Sequence, residues 1–221
     1  MSKIAFIFPG QGAQTCGMGK DFYEQTETGR KVFDKATELL GFSVPELCFE
    51  PNDRLDITEY TQVALLTTSV AIMEVLKDRG IKPDVAAGLS LGEYCAMYAS
   101  GVMSLENTLK AIQKRADLMG ATKGGAMSAV LNATEEALKE SWKEASSAGY
   151  VDVANYNSPA QVVITGDESA VAKAGELLLA KGARRVVPLP VSGAFHSKFM
   201  EPAGKEFETF VSGLEINDAS V

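Results

Sequence analysis

Apolar residues along this chain alternate between short continuous runs and longer stretches with helical spacing. Ile4 to Phe8 is a short apolar run ending at Pro9-Gly10, which predicts a buried parallel strand followed by a loop. Glu59 to Arg79 is long, apolar almost all round and closed by Gly80, which predicts a buried helix. Pro83-Asp84 then introduces a second short strand, Val85 to Gly88, and the helix after it stops at Gly101. From Ser104 to Met119 apolar residues recur at Leu105, Leu109, Ile112, Ala116 and Met119, the buried stripe of one more helix. Strands alternating with helices imply a parallel, doubly wound sheet.

The middle of the chain has another grammar. Ala126 to Leu131 reads as a strand, and Thr134 to Ser147 as a helix with Thr134 as its cap and glutamates in its first turn. Val151 to Asn155 and Gln161 to Thr165 are strands joined by the turn signal Tyr156-Asn157-Ser158-Pro159. A helix from Glu168 to Lys181 and a strand from Arg184 to Leu189 follow. The order β-α-β-β-α-β is the ferredoxin-like split unit. Gly124-Gly125 and Pro188-Leu189-Pro190 bracket it as hinges. The chain therefore divides into a large α/β domain, residues 1–123 and 190–221, and an inserted small α+β domain, residues 124–189.

Composition narrows the chemistry. With 46% hydrophobic and 23% charged residues the chain is an ordinary globular protein. A net charge of -8 argues against nucleic-acid binding, which needs Lys and Arg to neutralise phosphates. Cys16, Cys48 and Cys95 are widely spaced and form no CxxC pair, so neither a disulfide framework nor a zinc site is expected. Met1-Ser2-Lys3 leads straight into the first strand rather than a signal peptide, and no stretch reaches the ~18 apolar residues of a membrane span. These features predict a cytoplasmic protein.

Gly88-Leu89-Ser90-Leu91-Gly92 matches G-x-S-x-G, and it lies between a predicted strand and a predicted helix. In such an elbow a side chain two residues either side of the serine would collide as strand folds back onto helix. The helix start also brings N–H groups and a positive dipole end beside the hydroxyl, where an oxyanion would develop. A serine capping a helix after a glycine turn would read the same way. A serine nucleophile needs a base, and His196 is the sole histidine of the chain. It sits in the small-residue loop Ser192-Gly193-Ala194-Phe195-His196-Ser197 after a predicted strand, where α/β sites assemble.

Two further features carry chemistry. Pro9-Gly10-Gln11-Gly12-Ala13-Gln14 is neither a Walker A loop nor a full G-x-G-x-x-G, so a nucleotide site is not expected. A glycine loop at a strand end can aim an N–H at an anion, or it can be a tight turn only. Arg115 flanks the apolar stripe of its helix, while Lys110, Lys114 and Asp117 fall on the opposite face. It can reach out to solvent or point into a cleft and hold a carboxylate by a bidentate pair.

With FPGQGAQ at Phe8 to Gln14, TQVALLTTSVA at Thr61 to Ala71, GLSLGEY at Gly88 to Tyr94, KRADLM at Lys114 to Met119, NYNSPAQVVITG at Asn155 to Gly166 and VSGAFHS at Val191 to Ser197, the chain resembles the malonyl-CoA:acyl carrier protein transacylases of type II fatty acid synthesis. The resemblance implies an α/β fold with a large α/β-hydrolase-like domain and an inserted ferredoxin-like one. It implies a malonyl ester on Ser90, proton transfer by His196, and an oxyanion hole from the N–H groups of Gln11 and Leu91. It further implies a carboxylate clamp at Arg115, with Gln62, Met119 and Phe195 in the pocket, and Phe195 in its AFHS context resembles malonyl-selective members. The implied partners are malonyl-CoA and acyl carrier protein, with the CoA thioester as substrate, no other cofactor, no metal and a monomeric enzyme. Lys181, Arg184, Arg185 and Lys198 are the candidate landing patch for the acidic carrier.

Two departures stand out. Many relatives carry His before the nucleophile where this chain has Leu89, a change that removes a polar neighbour and not the base. The family's fold also continues past Val221, with a loop whose carbonyl orients the catalytic imidazole, so the chain is expected to be incomplete at its carboxyl end and to depend on that remainder for activity. The rival readings are an α/β-hydrolase esterase or thioesterase, and an inactive acyltransferase fold that only binds its carrier or CoA.

Overall fold

The computed structural model describes residues 3–221; Met1 and Ser2, read above as the lead-in to the first strand, lie outside the described residues. The chain forms two compact units. One runs to Asp117 and resumes over Phe207–Val221, and the other is Leu118–Glu206.

The first unit opens with β1 (Ala5–Phe8), followed by α1 (Lys20–Gln25), α2 (Glu27–Leu40), α3 (Val44–Phe49), α4 (Thr58–Asp78), β2 (Val85–Gly88), α5 (Gly92–Ala99) and α6 (Leu105–Ala121), whose last turn enters the second unit. β1 and β2 pair in parallel, with Ala5 opposite Val85 and Phe8 opposite Gly88. Parallel pairing and helical crossovers agree with the sequence pattern, but the strands are not buried on both faces as expected. Residues opposite one another in a parallel pair point the same way, and here Ala5, Ile7, Val85 and Ala87 share an open face on which Ile7 is 78% exposed. Phe8 on the other face is buried against the helices. Among the described residues these two strands pair only with each other, which leaves the far edge of each unpaired.

α4 is the centre of this unit. It buries residues on all sides, Gln62, Val63, Leu66 and Met73 among them, as its nearly unbroken apolarity predicts. Two of its buried hydroxyls find carbonyl acceptors nearby: Thr61 Oγ1 donates to Leu55 O at 2.6 Å and Thr67 Oγ1 to Val63 O at 2.7 Å. Gly80, with φ +80°, ends it, and Ile81 N–H returns to Leu76 O at 3.0 Å. Helices α1 to α3 had no counterpart in the sequence reading, although Thr26 and Ser43 cap α2 and α3 by accepting from Gly29 N–H and Glu46 N–H.

The second unit contains β3 (Ala126–Leu131), α7 (Glu135–Ala145), β4 (Val151–Ser158), β5 (Gln161–Gly166), α8 (Glu168–Ala180) and β6 (Arg185–Pro188), with α9 (Glu201–Val211) crossing its end. Its antiparallel sheet has the order β4-β5-β3-β6, the ferredoxin-like arrangement. Thr134 caps α7 as expected, its Oγ1 accepting from Ala137 N–H at 3.1 Å. Val130, Ile164, Leu138, Val171 and Leu178 form the core under α7 and α8, and Met127, Ala129, Val163 and Phe195 cluster on the opposite face of the sheet.

Two sequence expectations shift here. The turn read over Tyr156 to Pro159 is mostly strand: β4 continues to Ser158, with register shifts at Val153/Asn155 and Tyr156/Ser158, and only Pro159-Ala160 turn. The segment after β6 falls in the small unit instead of beginning the return at residue 190. A bridge between Gly124 and Gly193 and a bond from buried Thr165 Oγ1 to Phe195 O, 2.9 Å, tie it there. Among the described residues no helix is long and apolar enough to cross a membrane.

Candidate active site

The elbow after β2 is built by contact between main chains. A Cβ on Gly88 would lie 2.0 Å from the carbonyl carbon and oxygen of Gly92, and one on Gly92 would lie 2.4 Å from Phe8 O. Both glycines are thus obligatory, for the collision predicted from the motif. Leu89 N–H donates to Phe8 O at 3.1 Å, Gly92 N–H to Leu89 O at 2.9 Å and Glu93 N–H to Ser90 O at 3.1 Å, closing the turn into α5. Ser90 is held at φ +54°, a left-handed conformation costly for a residue with a Cβ. Leu91, next to it, is buried at the start of α5.

The glycine-glutamine loop leaves β1 at the same end of the sheet. A Cβ on Gly10 would come within 3.1 Å of Leu89 O, so loop and elbow run side by side. Gln11 Nε2 donates to Thr58 Oγ1 at 3.2 Å, at the first residue of α4. Among the described residues neither the Gln11 nor the Leu91 backbone N–H has an acceptor.

Arg115 takes the inward of its two alternatives. Its Nη2 donates to Ser90 Oγ at 2.9 Å, and its Nη1 donates to Gln62 Oε1. The guanidinium carbon stands 5.6 Å from the centroid of the Tyr94 ring, one helical turn after the serine. Burial pushes the guanidinium pKa below its ordinary value, with the nearby Tyr94 and Glu93 working in the opposite direction. No carboxylate forms an ion pair with it among the described residues. A desolvated cation bonded to neutral oxygens favours the arrival of an anion, and its planar fork fits a carboxylate. Tyr94 lies in the first turns of α5, within the motif GLSLGEY, and that motif was the sequence signal for it.

The remaining candidates belong to the second unit. His196, exposed, is held at φ +56°. Among the described residues only Ser90, Asn132 and His196 are non-glycines with positive φ, so two of the three are the predicted nucleophile and base. The loop around His196 is pinned on both sides by Phe195 N–H to Gly193 O at 3.0 Å and Ser197 Oγ to Ala194 O at 2.5 Å. Phe195 is 4% exposed, and Met119 packs against the cluster that contains it. Both apolar pocket candidates thus lie in the small unit, while Gln62, Ser90 and Arg115 lie in the large one. Of the basic candidates, Lys181 is paired with Glu140 at 2.7 Å and Glu144 at 3.2 Å, and Lys198 Nζ lies 4.1 Å from the Tyr150 ring centroid. Arg184 and Arg185 are exposed at the start of the edge strand β6. Among the described residues no group of His, Cys, Asp and Glu is placed to hold a metal.

An elbow serine bonded by a buried arginine, on this fold, has the features of acyl transfer to and from a hydroxyl. The chain belongs to the acyl transferase domain family, whose model matches residues 5–218. Within that family it is similar to the malonyl CoA-acyl carrier protein transacylase of Bacillus subtilis strain 168, 43% identical over 226 residues that cover 100% of this chain and 71% of the relative. The crystal structure of the malonyl CoA-acyl carrier protein transacylase from Clostridium perfringens matches with a TM-score of 0.93 and 40% identity, over 99% of this chain and 70% of that one. A malonyl-transacylase in complex with its type II polyketide acyl-carrier protein matches with a TM-score of 0.94 and 35% identity, over 99% and 72% of the two chains.

Proposed function

We propose that this chain moves a malonyl group from malonyl-CoA to the phosphopantetheine thiol of an acyl carrier protein, through an ester on Ser90. The observation that carries this reading is the 2.9 Å bond from Arg115 Nη2 to Ser90 Oγ. A guanidinium with no carboxylate of its own, beside the nucleophile, suits an acyl group that ends in a free carboxylate. The relatives named above, malonyl transacylases one of which was solved in complex with its carrier protein, support the substrate and the acceptor.

In the proposed cycle Ser90 Oγ attacks the thioester carbonyl while His196 accepts the hydroxyl proton. The oxyanion is met by the N–H groups of Gln11 and Leu91, at the end of β1 and the start of α5. Collapse expels CoA as thiol, with the proton returned from His196. The carrier's thiol then attacks the Ser90 ester by the same steps in reverse. Because Arg115 donates to Ser90 Oγ, the hydroxyl proton is left to be donated elsewhere, which suits its transfer to a base. An incoming malonate carboxylate would take over Arg115 donors and release the serine oxygen for attack.

Of the four basic residues considered for carrier docking, Lys181 is compensated by two glutamates, and Arg184 and Arg185 remain the main candidates. Mass spectrometry after mixing the chain with malonyl-CoA tests the reading. A malonyl adduct on Ser90, lost in Ser90→Ala and in His196→Ala and discharged by carrier thiol, is expected. Rapid release of free malonate without an adduct would instead support a hydrolase, and neither outcome an inert scaffold.

A further inference from the structure

The glutamine loop contains a second glutamine that the cycle above does not use, and its side chain closes a latch. We propose that Gln14 is a positioning residue, anchored by Asp56, that holds the Gln11 N–H in place for the oxyanion. The inference rests on the role given to Gln11 in the preceding section. Gln14 Oε1 accepts from Gly12 N–H at 2.8 Å, and Gln14 Nε2 donates to Asp56 Oδ1 at 2.8 Å. Two residues along from Asp56, Thr58 Oγ1 accepts from Gln11 Nε2 at 3.2 Å. The loop is therefore tied by both glutamines to the entrance of α4, the most buried helix of its unit.

A primary amide accepts at its oxygen and donates at its nitrogen, as both bonds here require; a carboxylate cannot donate and an ammonium cannot accept. The Gly12 N–H closes the peptide plane that begins at the Gln11 carbonyl. Holding that N–H fixes ψ at Gln11, and the bond to Thr58 fixes the Gln11 side chain. With its carbonyl side and its side chain both held, the Gln11 α-carbon and its nitrogen keep their position, so the latch limits where the Gln11 N–H can sit. Gly12 itself adopts φ +106°, so the loop's course depends on a conformation that glycine alone takes readily. Gly12 and Asp56 are exposed, and bonds there exchange readily with water and stabilise a fold little. Their effect is on the aim of one donor, and small misplacement of a transition-state donor is costly in rate.

The test compares wild type, Gln14→Glu, and Gln14→Glu combined with Asp56→Asn. In the single variant two carboxylates face each other and the latch opens. In the double variant the new amide at position 56 donates to the carboxylate at position 14, which still accepts from Gly12. A fall in kcat of about tenfold or more in the single variant is expected, with KM for malonyl-CoA and Tm unchanged and most of kcat recovered in the double variant. Unchanged kcat in the single variant, or a loss that the second substitution does not repair, would overturn the proposal. Amide hydrogen exchange at Gly12 reads the latch without turnover: faster in the single variant and slowed again in the double supports it, and equal rates in all three refute it. A wild type that never acylates Ser90 would sink the preceding assignment instead, and exchange alone would then decide the latch.

Discussion

Arg115 illustrates how much one side chain's environment adds to its position in a helix. Helical spacing left it at the edge of an apolar stripe with two ways to turn, and the structure turns it to Ser90 Oγ and Gln62 Oε1. A donor fork that reads a carboxylate discriminates by charge, so Arg115→Ala should lower kcat/KM for malonyl-CoA by about a hundredfold, ~3 kcal/mol. With acetyl-CoA, which has no carboxylate to hold, the loss should stay within a fewfold; parallel steady-state assays of both thioesters measure the difference. Cysteines offer a second test at this scale. Burial pushes the thiols of Cys48 and Cys95 up to about 12, and only Cys16 is exposed. At pH 8 iodoacetamide should modify Cys16 alone in the native protein, and all three after denaturation, as peptide mass spectrometry would count.

Among elements, the strand–elbow–helix of β2 and α5 is the least tolerant of change. Gly88→Ala or Gly92→Ala would bring a methyl group within 2.4 Å of backbone atoms, which no side-chain adjustment relieves. Either variant should lose several kcal/mol and fail to show a cooperative unfolding transition by circular dichroism. This element was fully legible in the sequence because backbone geometry dictates its residues: the two glycines and the serine are required by shape. α4 and β3 were legible for another reason, since strong apolar patterning leaves each one arrangement. α1 and α3 were not legible, because six residues carry too few turns for a period to emerge and only the cap at Ser43 announced α3; α2 was legible, in its cap at Thr26 and its apolar stripe of Val32, Phe33 and Ala36, and was missed. The hairpin was half legible. Asn157 and Ser158 look like turn residues, but β4 accommodates them by bulging. At the site, the candidate nucleophile Ser90 and its sole possible histidine partner could be named from type and count. The bonds that tie Gln11, Gln14 and Arg115 to other elements could not, because they join residues 25 to 53 positions apart.

For the molecule as a whole, charge and division into units matter most. A chain with a net charge of -8 repels an acidic partner at long range, so productive encounter with a carrier protein requires a local cationic patch. Arg184→Glu combined with Arg185→Glu should raise KM for the carrier about tenfold and leave transfer to free CoA thiol unaltered, and added salt should blunt the difference. The sequence also announced the two units, since helical and ferredoxin-like rhythms differ; their borders escaped it because contacts such as Thr165 to Phe195 decide which sheet a loop joins. At the elbow, carbonyl meets α-carbon with nothing rotatable in between. The backbone that carries the hydroxyl is therefore placed by main-chain contact and not by how the interior is filled. Libraries that randomise the greasy residues of α4 can shift heat tolerance widely while the reacting oxygen keeps its address, so selection for robustness need not be traded against turnover.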